Sequence, residues 1–139
     1  MTTLKLVADL AHLATIRHFV LDASRDLGLE EKDACDLELA VDEACTNVVE
    51  HAYQGQAGEV EISIKAVGDA VQVIIHDEGR PFDPQAVPIP DPSAPLEDRQ
   101  PGGLGLFLMR QVMDEVEFEF DGEMGNTLTM VKKLRRRKK

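Results

Sequence analysis

Apolar residues recur along this chain in two rhythms, and the switches between them mark out the elements. From Asp9 to Gly28, Leu10, Leu13, Ile16, Phe19, Val20, Ala23 and Leu27 fall at helical spacing. The spacing predicts a helix with Asp9 as N-cap and Gly28 just past its end. A second helix is expected from about Glu31 to Tyr53, with Leu37, Ala40, Val41, Ala44 and Val48 along its apolar side. Leu104, Phe107, Leu108, Val112 and Val116 predict a third, from Leu104 to Val116. Elsewhere the period drops to two. Val60, Ile62 and Ile64 alternate with Glu61, Ser63 and Lys65, and Val71, Val73 and Ile75 follow a Gly68-Asp69 turn. That pattern reads as paired strands with one buried and one wet face. Further strands are expected at Leu4–Val7, Glu117–Phe120 and Thr127–Leu134, with turns over Gln54 to Gly58 and Gly122 to Gly125.

Neither rhythm survives between Pro81 and Pro101, where all seven prolines of the chain fall. No continuous helix or central strand can form there. A stretch of that length without regular structure is functional or disordered. The alternation of helices and strands, with no internal repeat over 139 residues, predicts a single α/β domain, residues 1–139.

Composition adds a little. With no Trp and one Tyr, the core is expected to consist of Leu, Val, Ile and Ala. No apolar run approaches the roughly 20 residues that cross a bilayer, and the N-terminus lacks a charged start with an apolar h-region. No membrane partner and a cytoplasmic location are therefore expected. Cys35 and Cys45, ten apart in one predicted helix, suit neither a zinc knuckle nor a redox pair and are expected to be small core residues. Charge is uneven. Seven of the fifteen basic residues lie in Lys132 to Lys139, so residues 1–131 carry 26 acidic against 8 basic groups. Such a body repels nucleic acid, and direct nucleic-acid binding is not expected. The tail 135–139 is read as a solvated end.

Three segments carry candidate chemistry. On the second helix Glu43, Asn47 and His51 follow one another at i, i+4 on the polar face. A carboxylate, a carboxamide and an imidazole can accept a proton, bind a hard cation through oxygen, or grip a phosphate. Asp42 and Glu50 beside them are read as solvated helix charges. Next, the strand ending in His76 runs into Asp77-Glu78-Gly79-Arg80-Pro81. A carboxylate there accepts a hydrogen bond from an exocyclic amine, and Gly79 allows a close backbone approach. Alone, Asp-x-Gly is also a common turn. Third, Gly102-Gly103-Leu104-Gly105-Leu106 opens a helix, where unpaired amides suit phosphate oxygens. It is neither a Walker loop nor a dinucleotide fingerprint, and alone it could equally be a hinge.

In order and spacing the three segments resemble the Bergerat-type ATP-binding domain of gyrase, histidine kinases, heat-shock chaperones and mismatch-repair ATPases. Within that superfamily the chain resembles the small bacterial anti-sigma factor serine/threonine kinases, through AVDEACTNVVEHAY, DEGRPFDP, GGLGLFLMRQVMDEV and NTLTMVKKL, over about residues 5 to 134. The resemblance implies helices on one face of a mixed, mostly antiparallel sheet, a two-layer α+β sandwich that binds Mg-ATP beneath a lid at about 84–103. It also implies roles. Asn47 is similar to the magnesium ligand that joins the metal to the ATP phosphates, and Glu43 to the base that takes a proton from a substrate serine. Asp77 resembles the adenine-reading carboxylate, with Gly79 under the ring and Thr129 supporting the contact through water. Gly103, Leu104, Gly105 and Leu106 match the lid-end turn over the phosphates, and Arg99 resembles a lid arginine that meets the γ-phosphate. His51 sits near the phosphates in such proteins. The implied partners are a sigma factor and a STAS-domain anti-anti-sigma protein, with a homodimer formed through the N-terminal strand and helix. A nucleotide-gated interaction module without kinase activity, and an ATP-hydrolysing switch, stay open from sequence.

Overall fold

The computed structural model describes residues 1–53, 56–80, 103–121 and 125–134, with the side chains of residues 51, 103 and 104 outside the description. Five strands form one sheet: β1 (Thr2–Val7), β2 (Glu59–Val67), β3 (Ala70–Asp77), β4 (Glu115–Asp121) and β5 (Gly125–Lys133), in the order β1-β2-β3-β5-β4. All four pairings between these strands are antiparallel. Three helices, α1 (Leu13–Asp26), α2 (Glu31–Asn47) and α3 (Gly103–Val112), pack on one face, with α2 against both others.

Period-two burial fixes the register. Val60, Ile62 and Ile64 of β2 face Val73, Ile75 and Asp77 of β3 across the ladder, and Leu128 and Met130 of β5 continue the same face. Those residues are buried against Leu37, Ala40, Val41 and Ala44 of α2, so helical and strand periodicities meet in one core. Gly68, with φ 60°, supplies the left-handed corner of the two-residue β2–β3 hairpin.

Helix ends explain where the boundaries moved. Asp9 does cap, accepting from the Ala11 amide at 2.9 Å, but what it caps is a single 3₁₀ turn, Leu10–His12. The α-helix proper starts at Leu13, which leaves Leu10 about half exposed. At the other end Gly28 (φ 73°) donates to Arg25 O and Leu29 to Ser24 O, both at 3.0 Å, closing α1 with paired reverse bonds. The expected third helix was drawn too long. It stops at Val112; Val116 lies in β4, opposite Met130. Apolar spacing ran on because the partly buried Val116 contributes to the same core from a strand. Of the two cysteines, Cys45 is in the core and Cys35 is exposed, a correction to the expectation for Cys35.

Candidate active site

The end of α2 changes character after Asn47. Val48–Ala52 form a wider, π-type turn, in which the Tyr53 amide reaches back to Val48 O at 3.0 Å. The last carbonyls of a helix have no partner within it and are free to accept from neighbours. Here one of them is Ala52 O, which accepts from the Arg80 amide at 2.7 Å and so fastens the segment leaving β3. Gly79 makes the approach possible. A Cβ at that position would lie 2.6 Å from the Ala52 carbonyl carbon and 2.7 Å from its Cβ.

Asp77, the last residue of β3, is buried and accepts from the Gly79 amide and from Asn126 Nδ2, each at 2.9 Å. The same Asn126 amide donates to Gly79 O at 2.9 Å and lies 3.3 Å from Arg80 O. The loop after Asp77 is thus pinned from α2 on one side and from β5 on the other. Gly125, with φ 88°, passes so close that a Cβ would lie 3.1 Å from the His76 ring.

A partly enclosed cleft runs between α2 and the sheet. Asn47, Asp77, Met109, Phe118, Asn126 and Leu128 line it. Glu43 and Asn47 face α3, whose Gly105 crosses directly over them. A Cβ at Gly105 would lie 2.8 Å from Glu43 Oε2 and 3.7 Å from both polar atoms of the Asn47 amide. Asn47 Nδ2 is buried and, among the described residues, is the one buried side-chain polar atom without a hydrogen-bond partner. Such a group costs free energy unless something else satisfies it. An amide with no partner can also turn over, presenting oxygen where nitrogen stood. Burial, and then the charges of Asp42 and Glu50, hold the Glu43 carboxyl above its ordinary range. Asp42 is itself paired with Arg17 of α1, Nε and Nη2 each 3.3 Å from a carboxylate oxygen, where a solvated charge was expected.

Three of the sequence's segments therefore converge: Glu43 and Asn47, Asp77 and Gly79, and Gly105. Leu106 anchors α3, its side chain buried in the core. Gly103 and Leu104 open that helix. His51 belongs to the widened turn, and its side chain, like Arg99, residues 84–102 of the expected lid at 84–103 and the tail 135–139, lies outside the described residues. Thr129 is not brought to Asp77. It pairs with Ile74 and Glu117 on the sheet face away from the helices, because Leu128 and Met130 beside it take the inner face. Asn126 is the β5 residue that meets Asp77, and its signal was present in the sequence, since positions 126, 128 and 130 share one face.

A site of this shape, with helix amides over a carboxylate–carboxamide pair and a pinned Asp-x-Gly, defines a nucleotide-binding fold of the histidine kinase type. The family model described as histidine kinase-like ATPase domain matches residues 6–132. Serine-protein kinase RsbW of Halalkalibacterium halodurans is 40% identical over 129 residues, covering 89% of this chain and 77% of its own. RsbW of Bacillus velezensis is 35% identical over 136 residues, covering 94% and 84%. The chain belongs to the histidine kinase-like ATPase domain family and, within it, to the branch of the RsbW serine-protein kinases. A solved structure of the RsbU and RsbW domains of a Mycobacterium tuberculosis protein has the same fold, with TM-score 0.66 at 19% identity, covering 99% of this chain. This chain spans about a third of that one (34%). Membership implies that the protein uses ATP. Among the described residues no helix is long and apolar enough to cross a membrane.

Proposed function

We propose that this protein transfers the γ-phosphoryl group of ATP to a serine or threonine hydroxyl of a STAS-domain anti-anti-sigma protein, and that it binds and sequesters a sigma factor. The close approach of Gly105 to Glu43 and Asn47, with Asn47 and Asp77 lining one cleft, carries the reading. The serine-protein kinase names of relatives at 40% and 35% identity support it.

In this reading Asp77 accepts a hydrogen bond from the adenine amine, on a loop held still by Asn126 and Ala52. Gly79 lies under the ring, and the amides opening α3 at Gly103 to Leu106 receive phosphate oxygens. Asn47 has the residue type, burial and missing partner that fit a magnesium ligand. Magnesium, when bound, supplies charge neutralisation on the phosphates. Glu43 takes the proton as the substrate hydroxyl oxygen bonds to the γ-phosphorus and ADP leaves. Its raised proton affinity makes it a stronger base than a solvated glutamate. Arg99 and His51 keep the roles the resemblance implies, as γ-phosphate contact and phosphate neighbour, while Asn126 and not the outward-facing Thr129 supports Asp77 from β5. Residues 1–139 act as one cytoplasmic domain, with a lid at about 84–103. It forms a homodimer through the N-terminal strand and helix, where Val7 and Leu10 leave apolar surface uncovered. The acidic body receives basic elements of the sigma factor, an attraction that near-molar salt should weaken.

The test is γ-labelled ATP with a STAS-domain protein as acceptor. Label on an acceptor serine or threonine, falling about 10²–10⁴-fold in Glu43→Ala, is expected. No transfer by the wild-type chain to any such acceptor would overturn the reading in favour of a binding module.

A further inference from the structure

The loop that carries Asp77 has one more attachment, and it comes from a side chain outside the cleft's polar set. Tyr53 follows the π-type turn, and its hydroxyl donates to Glu59 O at 2.6 Å while accepting from the Glu78 amide at 3.0 Å. Glu59 opens β2 and Glu78 follows the last residue of β3. The β2–β3 ladder ends at the Val60–Asp77 pair, so Glu59 and Glu78 occupy the place of the next rung. There the phenol stands between amide and carbonyl, and the bond that would have joined the strands directly runs through it. The two strands part by one hydroxyl group at the residue after Asp77.

The ring is seated as well as the hydroxyl. A Cβ at Gly58 would overlap Tyr53 Cε1, Cζ and Cδ1, so the aromatic face lies on the bare peptide of Gly58. The Gly58 carbonyl in turn accepts from Ala8 at 2.7 Å, at the end of β1. Burial raises the phenol's proton affinity, keeping the O–H a donor at neutral pH. Without the hydroxyl, the Glu78 amide either loses its partner or closes onto Glu59 O, and either change moves the carboxylate one residue away.

We propose that Tyr53 is a positioning residue for base recognition: its hydroxyl, wedged into the end of the β2–β3 ladder, sets where Asp77 stands and so how strongly the site prefers adenine to guanine. The inference rests on the nucleotide reading above. Guanine carries a carbonyl where adenine carries its amine, so a carboxylate fixed in place attracts one and repels the other.

The experiment compares the full-length wild type with Tyr53→Phe, which keeps the ring on Gly58 and removes only the oxygen. Calorimetry with Mg-ATP and Mg-GTP is expected to show ATP binding weakened about tenfold and GTP binding little changed, so that the ATP/GTP ratio contracts about tenfold. Amide hydrogen exchange without nucleotide is expected to quicken at residues 78–80 and to hold along the ladder from Val60 to Val67. A merely structural role would lower the melting temperature with the ratio intact. That result, or unchanged exchange at Glu78, overturns the inference alone. A wild-type chain giving no heat with Mg-ATP would overturn the kinase reading and this inference together.

Discussion

The two ends of α2 are built from similar residues and treated in opposite ways. At its start, Asp33 and Asp36 are buried or nearly so, and Lys132 of β5 answers them. Its ammonium lies 3.0 Å from Asp36 Oδ2 and 4.0 Å from Asp33 Oδ1, and donates to the Val112 carbonyl at the end of α3 at 2.8 Å. Nearby, Asp114 accepts from the Lys133 amide and Leu134 donates to Asp69 O. At its finish, four turns later, Asn47 lines a cleft and Glu43 lies against Gly105. There the helix widens, glycine replaces side chains at 79 and 105, and a buried amide goes without a partner. One end answers its polar groups within the chain. The other keeps them open for something that arrives. Polar residues on a helix say little until their partners are known, and an absent partner at one end means more when the opposite end has none missing.

The largest effect that sharpens this contrast belongs to the closed end. Lys132→Met removes the cation from between two carboxylates and should cost about 3 kcal/mol of stability at neutral pH, read by urea unfolding. Burial pushes the Asp36 carboxyl up, but the hydrogen bonds and charges of Lys132 and Lys32 outweigh it and hold it below 3.8. A depressed carboxyl stabilises above its unfolded value and stops doing so as pH falls through the folded one. The gap between wild type and variant should therefore be full above about pH 4 and shrink in stronger acid. ATP affinity should not move, and if it does the two ends are not separate.

A smaller change should act on the open end alone. Gly105→Ala sets a methyl group against Glu43 Oε2, the free tip of a flexible side chain, so the fold can give way easily. Phosphoryl transfer should fall about tenfold, while stability stays level or rises by up to about 1 kcal/mol, as alanine favours the helix. A lower melting temperature with full activity would show that the position serves packing. Smallest of all, Asp42→Asn removes a charge that raises the Glu43 proton affinity. Glu43 must be ionised to act as base, so the acid limb of the rate–pH profile should move to lower pH by less than about one unit. The lost pair with half-exposed Arg17 should cost no more than about 1 kcal/mol.

Much of this was legible from residues alone, for uneven reasons. Periodicity marks the three α-helices and five strands of the described residues, since burial on one face leaves a regular trace at Leu37, Ala40, Val41 and Ala44, and at Val60, Ile62 and Ile64. It overran α3 because Val116 keeps helical phase by coincidence while packing from β4. Glu43, Asn47, Asp77 and Gly105 could be grouped because a motif shared with known proteins groups them. Strand phase puts Asn126 on the inner face with Leu128 and Met130 and turns Thr129, the residue the resemblance implies, outward. The π-type turn had no readable sign, because its cause is tertiary: the Ala52 carbonyl is turned toward the Arg80 amide, and Tyr53 bridges two strand ends. Nor could pattern foretell that Asp42, one residue before Glu43, would be claimed by Arg17 across the helix interface.

The central claim is that the amide of Asn47 is left unanswered for the sake of a metal–nucleotide complex. Thermal unfolding of wild type and Asn47→Leu, each with and without Mg-ATP, tests it most directly. Leucine keeps the branched skeleton of four side-chain heavy atoms and removes the unpaired group, so the variant should melt at or above the wild-type temperature when nothing is bound. Mg-ATP at about 100 times its Kd should stabilise the wild type by about 2.7 kcal/mol and the variant not at all. A variant that melts well below wild type unbound, or that Mg-ATP still stabilises, would contradict the account.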